Sequence, residues 1–349
     1  MVRRSVLAMF AVMAIVLGGV VVSTPAGAVV DSATIVPSPN AGTSADTLLS
    51  VSCVSVSECV AVGYTFTASA ETLTMVWDGT VWSVVSSPNA GTGNNLLVSV
   101  SCVSASDCVA VGYTITGSAT ETLVMVWDGT VWSIVASPNA GTSDDTLVSV
   151  SCVSASECVA VGYTDTGSAT ETLVMVWDGT VWSIVASPNA GTGNNLLVSV
   201  SCVSASDCVA VGYTDTASAE TLVMVWDGTV WSIVASPNAG TSDVLSSVSC
   251  VSASDCVAVG YTSTGPAYET LVMVWDGTVW SVVSSPNAGT SDDGLSSVSC
   301  VSASDCVAVG DTRAGSVYQT LVLSLTGPVP PSTTTTTVAS DPVVPAFTG

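Results

Sequence analysis

The chain predicts an all-β fold: a six-bladed β-propeller of four-stranded antiparallel blades, its ring closed by an N-terminal strand joining the last blade. Three observations carry this reading. A unit of about fifty residues recurs six times, with first cysteines at Cys53, Cys102, Cys152, Cys202, Cys250 and Cys300, at intervals of 49, 50, 50, 48 and 50. A period of that length built from short apolar runs belongs to a solenoid, an array or a propeller. Each copy holds four such runs, and nothing after the first 28 residues shows a useful helical period. Finally, the last copy stops before a fourth run, while the N-terminus carries an orphan one over 33–40.

The elements follow in chain order. Arg3-Arg4, an uncharged apolar run over 6–22 and Ala26-Gly27-Ala28 predict a secretory signal over 1–28 and therefore an exported protein. The propeller is expected over 29–327. In the second copy, 98–102 alternates Val and Ser as a strand does, and 108–113 follows as its hairpin partner. A third strand is expected over 123–127 and a fourth over 131–135. Between them Asp128-Gly129 predicts a two-residue type I′ turn. That turn would pair Trp127 with Thr130 and Met125 with Trp132, setting the two indoles diagonally on one face. Small residues fill the first two strands and Met and Trp the last two, as a wedge narrow at the axis requires. At the seam the two Trp positions become Leu325 and Ala33. After Gly327 a Pro/Thr-rich disordered tail is expected over 328–349.

Twelve cysteines in an exported chain should be oxidised. They fall into Cys-x5-Cys pairs: Cys53 with Cys59, Cys102 with Cys108, Cys152 with Cys158, Cys202 with Cys208, Cys250 with Cys256 and Cys300 with Cys306. Local pairing within each copy is the simplest connectivity.

Taken together, Ser-Cys-Val-Ser-Ala-Ser-Asp-Cys-Val-Ala-Val-Gly-Tyr and Trp-Asp-Gly-Thr-Val-Trp-Ser-Ile-Val-Ala-Ser-Pro-Asn resemble repeats of secreted, largely uncharacterised propeller proteins of actinobacteria. The resemblance covers nearly all of 33–327 and implies an exported bacterial propeller, loosely kelch-like but without the kelch glycine pair. It implies no activity and no site.

Charge and composition exclude several functions. Without the leader the chain keeps one cation, Arg313, against 27 carboxylates, with no Lys and no His. Such a surface repels nucleic acid and anionic membranes. Nucleophilic catalysis lacks a base, and phosphoryl transfer lacks cations. Two carboxylates would suffice for a glycosidase, and acids recur at Glu58, Asp107, Glu157, Asp207, Asp255 and Asp305 and in the turns at Asp78, Asp128, Asp178, Asp227 and Asp276. Their sameness from blade to blade marks them as loop and turn residues, so no catalytic residue is expected. No cofactor is expected either. Calcium is the one ion that an acidic ring would suit, with Asp144-Asp145 and Asp292-Asp293 as the closest clusters, although no Asp-x-Asp-x-Asp loop is present.

The copies differ most between the second and third strands, at Phe66, Ile115, Asp165, Asp215, Ser263 and Arg313, and between one copy and the next. Both sets of loops fall on one face of the ring, with the disulfide and Asp-Gly hairpins on the other. Recognition usually sits on variable loops held by a rigid scaffold. The expected function is non-catalytic binding of a protein or glycan at the cell surface by a monomer. A structural spacer at the surface is the alternative, and an enzyme acting on polysaccharide through carboxylates alone is the third reading.

Overall fold

The computed structural model describes residues 36–327 apart from 43, 44, 142, 143 and 290. Expectations about the leader and the tail fall outside those residues. Six antiparallel sheets succeed one another as the blades of a β-propeller, over 46–85, 94–135, 145–185, 194–234, 242–283 and 293–326. The first five have four strands and the sixth has three. No helix occurs among the described residues. In blade two the strands are Asn94–Ser104, Asp107–Thr116, Ala119–Trp127 and Trp132–Val135, hydrogen-bonded in sequence order.

The Val-Ser alternation of each first strand has a two-sided purpose. Strand side chains alternate faces, so Val100 points back into the core shared with blade one. Ser99 and Ser101 point forward to blade three. There the Ser99 hydroxyl accepts the Val150 N–H at 3.2 Å and the Ser101 hydroxyl accepts the Cys152 N–H at 3.0 Å. A first strand is an edge strand with unpaired N–H groups, and the preceding blade's serines satisfy two of them. The pair of bonds recurs at every boundary from Ser50 and Ser52 on Val100 and Cys102 to Ser247 and Ser249 on Val298 and Cys300.

Apolar packing sits between blades rather than within them. Val60 and Val62 of blade one enter a cluster with Leu97, Val100, Ala110, Leu123, Met125 and Trp132 of blade two. The same set recurs at the next three boundaries; at the fifth Leu323 takes the Met place, Leu325 stands at the place of the first tryptophan, and among the described residues none takes that of Trp132.

All six expected disulfides are present: Cys53 to Cys59, Cys102 to Cys108, Cys152 to Cys158, Cys202 to Cys208, Cys250 to Cys256 and Cys300 to Cys306. Each pair stands directly opposite on the first two strands of its blade, with Cα atoms 4.0 Å apart. The second cysteine also faces the third strand. Cys256 pairs there with Trp275, whereas Cys306 in the last blade pairs with Leu325. Each second strand further carries a glycine facing a β-bulge in the first; Gly112 pairs with Leu97 where the register slips before Ser99.

One sequence expectation is corrected. The Asp-Gly connection is not a two-residue type I′ turn: Trp127 pairs with Trp132 and Met125 with Ile134, so the loop holds four residues. The indoles are therefore directly opposite, with ring centroids 5.5 Å apart. Gly129 takes φ +90°, and among the described residues no other residue type has positive φ. Asp128 instead supplies an acceptor: its Oδ1 takes the N–H groups of Thr130 and Val131 and the Thr130 hydroxyl, at 2.7–2.8 Å. An Asx-type side chain thus closes the loop.

These hydrogen bonds hold Asp128 below the ordinary aspartate range, the Thr130 hydroxyl foremost, and Asp78, Asp178, Asp227 and Asp276 behave alike through their own threonines. A carboxyl whose folded pKa is depressed contributes stability above its unfolded pKa and loses it as pH falls through the folded one. The melting temperature should therefore hold through neutral pH and fall below about pH 4 as five turns protonate. Thermal melts from about pH 7 to about pH 2 check this; a flat profile would show that the turns contribute nothing.

The seam of the ring is described only in part. Blade six, Asp293–Ser302, Asp305–Ala314 and Val317–Thr326, lacks a fourth strand, and among the described residues its last strand pairs only with the one before it. Of the expected closing strand, 33–35 lie outside the described residues. Val36–Asn40 form no strand. Val36 lies instead in a hollow on blade one with Leu48, Leu49, Val51 and Trp82.

On the faces that would meet in a sealed ring, Ala61, Leu73 and Met75 of blade one are buried, whereas other positions are open. Leu48 and Val51 are 44% and 59% exposed where Leu97 and Val100 are 0% and 6%, and Val322 is 64% exposed where Val124 is 0%. Elsewhere the four-residue turn delivers the fourth strand to its neighbour. At the seam no covalent link does so, and long-range closure must overcome chain entropy without an indole pair to reward it.

Candidate functional site

The variable positions do gather on one face. Phe66, Ile115, Asp165, Asp215, Ser263 and Arg313 stand at or near the ends of second strands, opposite Ala70, Thr120, Thr170, Ala219, Tyr268 and Tyr318. The interblade connections share this face: the Asn139 amide oxygen accepts the Thr122 N–H at 2.9 Å, and Asp144 Oδ1 of blade three accepts the Thr120 N–H of blade two at 2.7 Å. Asn94, Asn194 and Asp292 make the same link at their own boundaries.

On the opposite face lie the hairpins and the first tryptophan of each pair, whose Nε1 donates to the disulfide loop, as Trp127 does to the Ala105 carbonyl at 3.0 Å. Shallow grooves between blades one and two, three and four, and five and six are lined there by disulfide cysteines and these indoles. The second tryptophans, Trp132, Trp182, Trp231 and Trp280, are buried in the interblade cores.

The cysteines belong to the frame rather than to a binding surface. Cys256 and Cys306 are both buried, Cys256 in the core between blades four and five and Cys306 in that between five and six. Cys108, Cys158 and Cys208 occupy the same place at the earlier boundaries. No described cysteine is free, so none offers a thiolate to a metal or a substrate.

The recurring acids hold loops together. Asp107 accepts the Ser104 and Ser106 hydroxyls inside the disulfide hairpin, and Glu58 and Glu157 accept those of Ser55 and Ser154 at 3.1 Å. Among the described residues no three Asp, Glu, Cys or His side chains converge as metal ligands.

One place breaks the repeat. Between blades five and six, on the variable-loop side, a cavity of about 270 Å³ is lined by Tyr261, Tyr268, Tyr318, Asp292, Asp293 and Asp311 together with Ser246, Gly294, Leu295 and Ser296. Tyr261 and Tyr268 meet edge to face with centroids 5.0 Å apart. Burial, then Tyr268 and Tyr213, raise the Tyr261 phenol above its ordinary value, so it stays protonated. Arg313 Nη1 lies 3.3 Å from Asp292 Oδ2, and Arg313 Nε donates to the Gly315 carbonyl.

Asp293 differs from its counterparts. Asn95 and Asn195 at this position accept the N–H of Ala90 and Ala190, and Asp243 accepts those of Ala239 and Gly240. Asp293 is 1% exposed, and neither carboxylate oxygen has a hydrogen-bond partner.

Sequence reasoning singled out Arg313 and Ser263 near the cavity and the Asp292-Asp293 cluster in its lining, and missed the tyrosines, Gly294 and Asp311. The signal was present as departures from the consensus. Gly294 stands where the other copies have Thr47, Leu96, Thr146, Leu196 and Val244, and it pairs with Asp311 where they have tyrosine. A Cβ at Gly294 would point at Tyr261, 3.8 Å from its Cβ. The missing side chain and the lost tyrosine open the cavity.

No family model and no curated protein matches the chain. Among solved structures it is similar to YCF48 bound to a D1 peptide, with TM-score 0.50 at 12% identity over 82% of this chain and 86% of that one. It is also similar to a mutant of the Aleuria aurantia lectin AAL in complex with Fucalpha1-6GlcNAc, with TM-score 0.47 at 13% identity over 80% of this chain and 96% of the lectin. At these identities the likeness to YCF48 shows the propeller fold alone.

Proposed function

We propose that this chain is an exported, non-catalytic binding scaffold that recognises a protein or glycan at the cell surface through the variable-loop face. The observation that carries the reading is the asymmetry between the faces. One is braced identically in blade after blade by disulfides and by Asp-Gly turns that recur in the first five. The other holds the loop differences and the tyrosine-lined cavity between blades five and six. Propeller loops on a rigid frame suit recognition, and YCF48, which shares the fold, has a peptide bound. Six disulfides suit an oxidising compartment. Past the leader the chain holds no His or Lys to serve as a base to a serine nucleophile.

The test screens the mature protein against wall polymers, glycans and secreted proteins, with and without calcium. It then replaces every loop between second and third strands by that of blade two. Saturable binding that disappears on replacement, with the melting temperature retained, is the expected result. Absence of any ligand would overturn the reading in favour of a spacer.

A further inference from the structure

We infer that the cavity between blades five and six binds an organic ammonium group, such as a lysine side chain or a quaternary ammonium; this rests on the binding role of the loop face and names its chemistry.

Three features point to a cation of this class. First, Asp293 is a carboxylate removed from water with no donor on either oxygen, a costly state that an entering positive charge relieves. The only cation among the described residues, Arg313, is bound to the neighbouring Asp292 and does not reach it. Second, the walls are aromatic. Tyr261 and Tyr268 form an edge-to-face corner, and Tyr318 adds a third ring. Ring faces attract ammonium groups, more strongly where water is displaced; Tyr261 is half-buried, and Tyr268 and Tyr318 stand exposed at the rim. Third, the three carboxylates do not converge as ligands for one metal ion. A hard cation needs oxygens at close range, whereas a bulky organic cation spreads its charge over a cavity of this size.

The cavity is specific to this boundary. Blades two and four carry Leu96 and Leu196 where blade six carries Gly294, and tyrosines Tyr113 and Tyr213 where it carries Asp311. Both changes enlarge the space, and one adds negative charge. Gly294 has no positive φ, so its role is room rather than backbone conformation.

The experiment titrates the mature protein with choline and with an Nα-acetyl-lysine amide, followed by calorimetry, and repeats it for Asp293→Asn and Gly294→Leu, with Asp207→Asn, in a disulfide hairpin on the opposite face, as a control. One-to-one saturation by at least one ammonium probe is expected. Affinity should fall about tenfold or more in Asp293→Asn, be lost in Gly294→Leu, and stay unchanged in Asp207→Asn. The tighter of the two probes identifies the source of the group. Circular dichroism melts confirm that the variants fold; if Gly294→Leu does not, Gly294→Ala serves, with a partial loss expected. Absence of saturation, unchanged affinity in both cavity variants, or saturation by calcium instead would overturn the inference. Should a ligand from the wider screen depend on the loops yet ignore Asp293→Asn and Gly294→Leu, the ammonium site falls and the binding role stands. Should no ligand bind at all, both fall.

Discussion

Leu97→Ala should cost about 2–5 kcal/mol, while Leu48→Ala, the same residue one blade earlier, should cost about 0.5 kcal/mol or less. Both leucines stand opposite the second-strand glycine of their blade, Leu97 facing Gly112 and Leu48 facing Gly63. Their surroundings differ. Leu97 is wholly buried among Val60 and Val62 of the preceding blade and Leu123 and Met125 of its own. Leu48 has no preceding blade over it and is 44% exposed. Truncating a leucine costs the lost transfer energy plus the cavity left behind, and an exposed leucine leaves no cavity. In a repeat array, stability sums blade terms and interface terms, so the first substitution weakens an interface and the second touches none. Urea denaturation of the two variants beside the parent measures the difference. Equal penalties would show that Leu48 is covered in solution as Leu97 is, and that the seam buries this face as the other boundaries do.

Period and alternation made much of the architecture legible. The fifty-residue spacing counts the blades, and the Val-Ser alternation reports a strand with different neighbours on its two sides. Cys-x5-Cys places both sulfurs across one short hairpin, where they are found from Cys53 and Cys59 to Cys300 and Cys306. The spacing did not reveal that the second cysteine of a pair, such as Cys256, also packs against the preceding blade. The separation of the loops into a constant and a variable face follows from antiparallel order alone.

What escaped the sequence depends on side chains acting out of type. Asp-Gly reads as a type I′ turn because both residues tolerate positive φ, yet Asp128 stays in ordinary backbone space and closes a four-residue loop through its carboxylate. Choosing between those turns needs the energy of three hydrogen bonds that composition does not display. At the seam, counting strands reveals a vacancy in the last blade, and 33–35 of the strand expected to fill it lie outside the described residues. The cavity at Asp293 was hidden by the strength of the repeat itself. Against five copies of tyrosine, Asp311 reads as drift, and its meaning emerges only when Gly294 is seen to face it across the strand pair.

Gly162→Ala should cost about 3 kcal/mol, toward the upper end for an overpacked core, although it adds a single methyl group. Gly162 pairs with Leu147 at the slip of register that follows it in the first strand of blade three. A Cβ there would overlap the Thr146 carbonyl oxygen and stand 2.9 Å from its carbon and 3.0 Å from Leu147 Cα. Those atoms are backbone, so no rotamer change relieves the clash, and the bulge must move. A bulge bends its strand, and moving this one shifts Ser149 and Ser151, whose hydroxyls accept the Val200 and Cys202 N–H groups of blade four. It also shifts Leu147, which is wholly buried against blade two. The loss thus spreads to both boundaries of the blade, unlike that of a methyl added on an open surface. Gly167→Ala provides the contrast in the same blade: it takes φ +80° with nothing within 4 Å of the added Cβ, and should cost only about 1 kcal/mol from backbone strain. Thermal melts of both variants decide it. If Gly162→Ala proves the milder of the two, the invariant glycine of the Ala-Val-Gly run is kept for a reason other than the close approach of the bulge.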